Sequence, residues 1–363
     1  DWRAALEHVD RSLEACGLNI RAVNLKAAIL RHTGRPREAI ALLDTAAHKA
    51  DPLDVRSMTE RWLAGRRASA RKELQTTFRD HPATALETAV EYGNAGLWQD
   101  GTATLLAMIE AAPDKSRVSP LAYYYLGHFA EQLGDSDGAG RYRRLATQMS
   151  PDYVFPFQWE AIPVLRRAME ADPEDARAPY YLGNLLYDWQ PDEAVRQWER
   201  SATIDPTFAV VHRNLGVAYS QRKTADAQAQ AIACLERAVS LPTRCAIHFT
   251  ELDELYEAEG VAPETRLALL EQSQQVVAQR DDALSRMIGL KVFAGKVDEA
   301  IRLMTGRSFE VWEGGSLTVA DSWTDAHVLR AQQRIAARQY GEALEDLRAA
   351  GQVPDNLPSE RRG

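Results

Sequence analysis

The sequence predicts an all-α fold, a solenoid of about ten antiparallel helical hairpins stacked in chain order. Two observations carry this. Small and apolar residues return at intervals of roughly 34 residues, and prolines close one unit after another at Pro52, Pro82, Pro113, Pro151, Pro173, Pro206 and Pro242. A length of 363 residues fits the same reading, because each unit of a repeat array packs only on its neighbours.

The clearest unit runs from Pro179 to Pro206. Gly183, after Leu182, lets a first helix approach its neighbour closely. Ala194 does the same for the second helix, and Trp198 fills the space between them. Pro206 has no backbone N–H and stops the helix. In these landmarks the stretch resembles a tetratricopeptide (TPR) repeat. The resemblance implies a TPR-like right-handed superhelix with one concave and one convex face.

In chain order, Trp2 to Cys16 reads as the second helix of a repeat whose first helix lies before Asp1, so the chain is expected to be a piece of a longer protein. Ile20 to Arg31 and Arg37 to Lys49 form a hairpin about Gly34. Residues 53–80 form a degenerate pair without the small-residue landmarks. The next unit keeps phase through Ala89, Tyr92, Gly101 and Leu105, and Leu121 to Pro151 keeps it through Gly127, Gly134, Ala139 and Ala146. Then the frame breaks. Pro151 and Pro173 are only about 22 positions apart, and Tyr153 to Trp159 is too short and too interrupted by proline for a first helix. The second helix, around Leu165 and Ala168, survives in this degenerate repeat, 153–173. Leu215-Gly216 opens another unit that Ala231 and Ala238 complete. Residues 245–306 are degenerate hairpins again. Residues 305–320 lose the helical period and read as an ordered excursion loop. A last pair, from Asp321 to Ala350, brings the solenoid to 350, and 351–363 is a polar tail expected to fray.

Composition excludes several functions. The net charge of −9 argues against nucleic acid as a partner, since phosphate binding needs excess Lys and Arg. No apolar run is long enough for a membrane span. Cys16, Cys234 and Cys245 have no ligand spacing, which suits a reducing, cytoplasmic setting. Neither a metal nor a cofactor is expected: the eight histidines are scattered singly, and the spacings of metalloproteases, nucleophile elbows and dinucleotide loops are absent. No catalytic residue is assigned, and the fragment by itself is read as non-enzymatic.

Three groups of residues remain. Tyr124, Tyr180 and Tyr187 fall at first-helix positions facing the concave groove, beside His128, Asn184, Asp188 and Arg213. Exposed tyrosines beside an amide and a guanidinium suit a peptide, a sugar or a protein surface; the plainer reading is inter-helix core. Trp312 and Glu313 stand on a double-glycine turn that either presents them to a partner or plugs the end of the array. The cluster Arg56, Arg61, Arg66, Arg67, Arg71 and Lys72 reads as a solvated face with local Glu partners. A chaperone-type two-carboxylate clamp is not expected. Asn184 and Asn214 suit its Asn positions, but Tyr180, Ile247 and Glu251 stand where it needs basic residues.

Taken together, Leu121 to Gly134, SPDYVFPFQWEAIPVL from Ser150 to Leu165, ARAPYYLGNLLY from Ala176 to Tyr187 and the Trp312 to Gly315 loop resemble the C-terminal TPR region of bacterial DUF5107-containing proteins. In that family the repeats follow a β-sandwich domain similar to carbohydrate-processing folds. The resemblance implies a carbohydrate-related parent protein and transfers no catalytic residue. The favoured expectation is a non-catalytic scaffold that binds a protein or peptide, its own N-terminal domain included. The alternative is one wall of a sugar site, with Phe155, Phe157, Trp159, Trp312 and Glu313 as its loop residues.

Overall fold

The structure, a computed structural model, describes residues 1–65, 68–222, 224–310 and 319–357. Among these the regular elements are all helical, and successive helices pack on one another as hairpins. The chain divides into two compact units, 1–188 and 189–363. The landmark repeat straddles the division, its first helix ending one unit and its second opening the other.

In the first unit, α1 (Trp2–Ala15), α2 (Ile20–His32) and α3 (Pro36–Leu42) are followed by a π-turn, 43–47, and the short α4 (His48–Ala50). Then come α5 (Val55–Gly65), α6 (Ala68–Asp80), α7 (Pro82–Asn94), α8 (Trp98–Ala111), α9 (Pro120–Gln132) and α10 (Ser136–Gln148). Within the α7/α8 unit the small residues act as expected. A Cβ on Gly101 would stand 2.8 Å from the Phe129 ring and 3.0 Å from the Ala89 carbonyl, so the close contact needs a glycine.

The degenerate 53–80 pair is held differently. Glu60 of α5 is fully buried, and burying a carboxylate is costly unless it is paired. Arg31 Nε donates to it at 3.2 Å and the Tyr92 hydroxyl at 2.7 Å, while Arg31 Nη2 reaches Asp100 at 2.7 Å. One guanidinium therefore ties α2, α5 and α8 together. Trp2 closes the cluster from α1, stacked on His32 at 5.2 Å.

After α10 the chain runs without a helix to α11 (Ala161–Ala171) and then α12 (Arg177–Leu186). The five residues Val154 to Gln158 form neither helix nor turn, and Trp159 and Glu160 make the turn that leads into α11, with Glu160 already in the helical region. Five residues can reach at most about 17 Å at ~3.3 Å each, against about 20 Å for a 13-residue helix such as α9. A short irregular strap thus stands where a first helix would, in fewer than half the residues, which accounts for the short repeat. Helix α11 packs directly on α9 and α12.

The second unit contains α13 (Pro191–Ile204), α14 (Ala209–Ser220), α15 (Ala225–Ser240), α16 (Ala246–Ala258), α17 (Pro263–Gln272), α18 (Gln274–Val277), α19 (Asp281–Phe293), α20 (Val297–Thr305), α21 (Val319–Ala336) and α22 (Tyr340–Ala350). In the degenerate 245–306 region the buried Asp253 takes Arg266 Nε at 2.8 Å and Arg286 Nε at 2.5 Å. The excursion after α20 begins as an anchored turn: Phe309 is buried, and Arg307 Nη1 donates to the Ala278 carbonyl at 2.7 Å. Residues 311–318 lie outside the described residues.

The tail corrects an expectation. Instead of fraying from Pro354, the chain binds back through Asn356, whose amide donates to the Met304 and Arg307 carbonyls at 2.9 and 2.8 Å. The Phe309 N–H returns a bond to the Asn356 carbonyl at 2.9 Å. Leu357 is 2% exposed and joins the core of Met287, Phe309 and Trp323. A polar composition hid one buried leucine and one clamping amide.

Two stability outcomes follow. Arg31→Met leaves Glu60 buried without its cation and should cost about 3–5 kcal/mol, read as a lower urea midpoint. Leu357→Ala should cost about 2–5 kcal/mol, whereas a frayed tail would leave the midpoint unchanged.

Candidate functional site

The strap has a strand-like alternation. Tyr153, Phe155, Phe157 and Trp159 are 91%, 71%, 59% and 51% exposed, while Val154 and Pro156 are buried between them. The alternation places Phe155 and Phe157 on the outer face of the strap, and Trp159 follows in the turn that enters α11. Tyr153 turns the chain into the strap with φ at +58°, a left-handed value uncommon for a tyrosine. Seven residues carrying four exposed aromatics is an unusual concentration, since large exposed apolar patches mark interaction surfaces.

An extended chain is also thinner than the helix it replaces, with strands spaced about 4.8 Å apart against a helix diameter of roughly 10 Å. Space therefore opens on both sides of it. On one side lies an open cleft of about 1070 Å³, floored by Phe78, Leu86, Met108 and Met149 and walled by Phe155 and Phe157. Its rim carries Arg79, Arg117, Asp114 and Asp152. Both acids are engaged locally, Asp114 with Ser116 and Asp152 with Ser150. The helices α7 and α9 begin at the same cleft, at Pro82 and Pro120, and neither has a side-chain cap.

On the other side is a groove of about 580 Å³ lined by Arg21, Arg56, Glu91, Asn94, Phe157 and Glu160. Asn94 holds the end of the strap by donating to Glu160 at 2.9 Å. Arg56 donates to Glu91 at 2.7 Å and lies 4.7 Å above the Tyr92 ring. Phe157 is shared by both spaces.

The tyrosines expected to face a groove are placed otherwise. Tyr124 is 1% exposed, and its hydroxyl donates to Asp175 at 2.7 Å; burial pushes the phenol well up. Tyr180 is 5% exposed, its ring 5.1 Å from that of Tyr181. Their expected exposure is thus corrected, because both rings pack inside the first unit. Asn184 and Tyr187 are half-buried and Asp188 is exposed. His128 is half-buried, edge-on to Trp98 at 5.8 Å, and burial lowers its pKa. Arg213 belongs to the second unit, where its Nε donates to Glu251 at 2.8 Å. Of the loop residues, Phe155, Phe157 and Trp159 share the strap, whereas Trp312 and Glu313 lie outside the described residues. In the basic cluster, Arg56 and Arg61 reach Glu91 and Asp44, Arg71 reaches Glu110, and Arg66 and Arg67 lie outside the described residues.

Sequence reading overlooked one close pair. Cys245 Sγ stands 3.3 Å from His248 Nε2 at the start of α16. Burial raises the thiol and lowers the imidazole to about 4, so both groups are held neutral and the pair lacks the thiolate of a nucleophile. Among the described residues no group of three or more His, Cys, Asp or Glu side chains could hold a metal ion. No described helix is long and apolar enough to cross a membrane.

No protein-family model matches the chain. Among solved structures, it is similar to yeast Tom70, at 14% identity over 83% of this chain and 60% of that one, with a TM-score of 0.36. It is also similar to YrrB, described as a TPR protein with an unusual peptide-binding site, at 17% identity over 66% of this chain and 94% of that one, with a TM-score of 0.23. The Cut9–Hcn1 assembly of the APC/C gives 11% identity over 96% of this chain and 83% of that one, with a TM-score of 0.31. The chain thus spans less than two thirds of the length of Tom70.

Beside His128, Glu131 gives a pH signature. Hydrogen bonds from Arg167, with Arg143 adding to them, hold its carboxyl at about 2 against an ordinary 4.5. The folded value is the lower one, so this contribution is complete above pH ~4.5 and fades as pH falls towards 2. Glu131→Gln should therefore flatten the loss of stability between pH 4.5 and 2, measured as urea midpoints across that window.

Proposed function

We propose that the chain is a non-catalytic scaffold for protein–protein interaction, and that a partner engages the aromatic strap and its cleft in the first unit. The observation that carries this is the exposed aromatic group of Phe155, Phe157 and Trp159, of which the two phenylalanines line a cleft of about 1070 Å³. Aromatic side chains with apolar faces are the usual anchors of protein interfaces. The helical repeats supply a stiff support for it. A further domain of the same parent protein is one such partner, in keeping with the resemblance to DUF5107-containing proteins. A carbohydrate reading shares the same group, since aromatic faces also stack on sugars.

A photo-crosslinking residue placed at Phe155 or Phe157 tests the proposal in cells. The expected outcome is capture of one discrete protein or domain from both positions and not from a control at the exposed Leu344. Identical capture at all three positions, or none, overturns the proposal. Calorimetric binding of simple sugars that is lost in Trp159→Ala would replace it with the carbohydrate reading.

A further inference from the structure

Independently of the strap, we infer that the second unit carries a surface for a second copy of this chain: the exposed stripe Tyr340, Leu344 and Leu347 of α22 pairs antiparallel with the same stripe of the copy. Helix α22 is unusual in what it buries. The residues it turns to α21 are small or charged, Ala343, Asp346 and Ala350. Ionic contacts hold them there: Asp346 lies 3.0 Å from His327 Nδ1, accepts from Arg330 Nη2 at 2.6 Å and stands 2.8 Å from Arg334 Nη1. The large apolar side chains of the helix are left outside, with Tyr340, Leu344 and Leu347 at 65%, 50% and 47% exposed. The tail that follows α22 turns back to the Met304 and Arg307 carbonyls and leaves this stripe uncovered.

Spacing sets the kind of occupant. Tyr340, Leu344 and Leu347 are four and three residues apart, which is the seam of a two-helix coiled coil. At 3.6 residues per turn the stripe stands roughly a quarter turn away from Ala343, Asp346 and Ala350, so a helix can seat on it without disturbing α21. An extended peptide has no such period.

Charge selects a copy of the same helix, and its direction. Glu345 and Arg348 are exposed on one flank of the stripe, and neither has an ionic partner among the described residues. Side chains lean towards the N-terminus of their own helix. In an antiparallel pair the same flanks of the two helices meet, so Arg348 of each copy leans towards Glu345 of the other, twice by symmetry. Gly341, on that flank one turn before Glu345, has nothing within 4 Å of where a Cβ would stand and leaves room for the arginine stem. In a parallel pair the same arginine would meet the flank of Ala343 and Ala350. The arrangement is two-fold, so it closes at a dimer. A helix of 11 residues is only about 17 Å long and about 10 Å wide, which falls short of the ~800 Å² per partner of a standard interface. Pairing is therefore weak, with a dissociation constant of about 10–100 μM.

The test is sedimentation equilibrium of the intact chain from about 1 to about 200 μM. The mean mass should rise from that of one chain towards that of two. Leu344→Glu places like charges at the centre of the pair and should abolish the rise. Leu344 is exposed, so this variant retains the fold, and its circular dichroism and thermal midpoint check that. Arg348→Glu and Glu345→Arg should each weaken association at least about fivefold, while an equimolar mixture of the two restores it, because the opposite charges then face one another. A chain that stays monomeric to about 200 μM, or one that associates equally well with Leu344→Glu, overturns the inference. No gain on mixing the two charge variants overturns the antiparallel pairing. A photo-crosslinker at Leu344 should capture a copy of the chain and not the partner of the strap; capture of a different protein there assigns the stripe to that protein and overturns self-pairing. Phe155→Ala/Phe157→Ala should leave the self-association unchanged, so this inference and the scaffold reading fail separately.

Discussion

A hairpin in this chain can bury its apolar stripe only against the hairpins before and after it, and that constraint governs the rest. A repeat cannot simply lose a helix, because the neighbours on either side would be left with uncovered apolar surface. Between Pro151 and Pro173 the chain meets the requirement with a different conformation. Val154 and Pro156 cover what they can from an extended strap, α11 moves onto α9, and the cross-section left over becomes the cleft and the groove. The candidate site is therefore a by-product of how continuity of the core was kept.

Ionic contacts do similar work where small residues are missing. At the α2/α5/α8 contact, Arg31 bridges Glu60 and Asp100. At the α16/α17/α19 contact, Asp253 receives Arg266 and Arg286. Buried charge of this sort is a weak source of net stability and a strong source of discrimination, because a misplaced register strands an unpaired ion. Regular repeats such as α7/α8 can be specified by packing alone, as Gly101 under Phe129 shows.

Much of this architecture was legible in the residues. Helical hairpins, their glycine turns and the break after Pro151 follow from spacing and from the backbone limits of Gly and Pro. That Tyr153 to Trp159 could not form a first helix was legible too, from its shortness and its proline, but the alternate exposure of its aromatics was not read. What could not be read was which tyrosine points where. Tyr124 and Tyr180 sit on helices with apolar residues on most sides, so periodicity does not separate an inward from an outward face, and the deciding partner, Asp175, is 51 residues from Tyr124. Glu60 and Asp253 read as surface acids because their cations come from other repeats. The part of the tail up to Leu357 was misjudged because one leucine in a polar run leaves almost no signal.

Tyr153 and Pro156 bear on the colloidal behaviour of the molecule. A flat aromatic edge with open backbone groups on both sides would recruit copy after copy and grow into a fibre. Here the left-handed Tyr153 bends the chain just before Phe155 and Phe157, and Pro156 has no N–H to donate. A proline inside the strap and a left-handed residue at its start make it a poor template for self-assembly, which is how an exposed aromatic surface can be kept from aggregating.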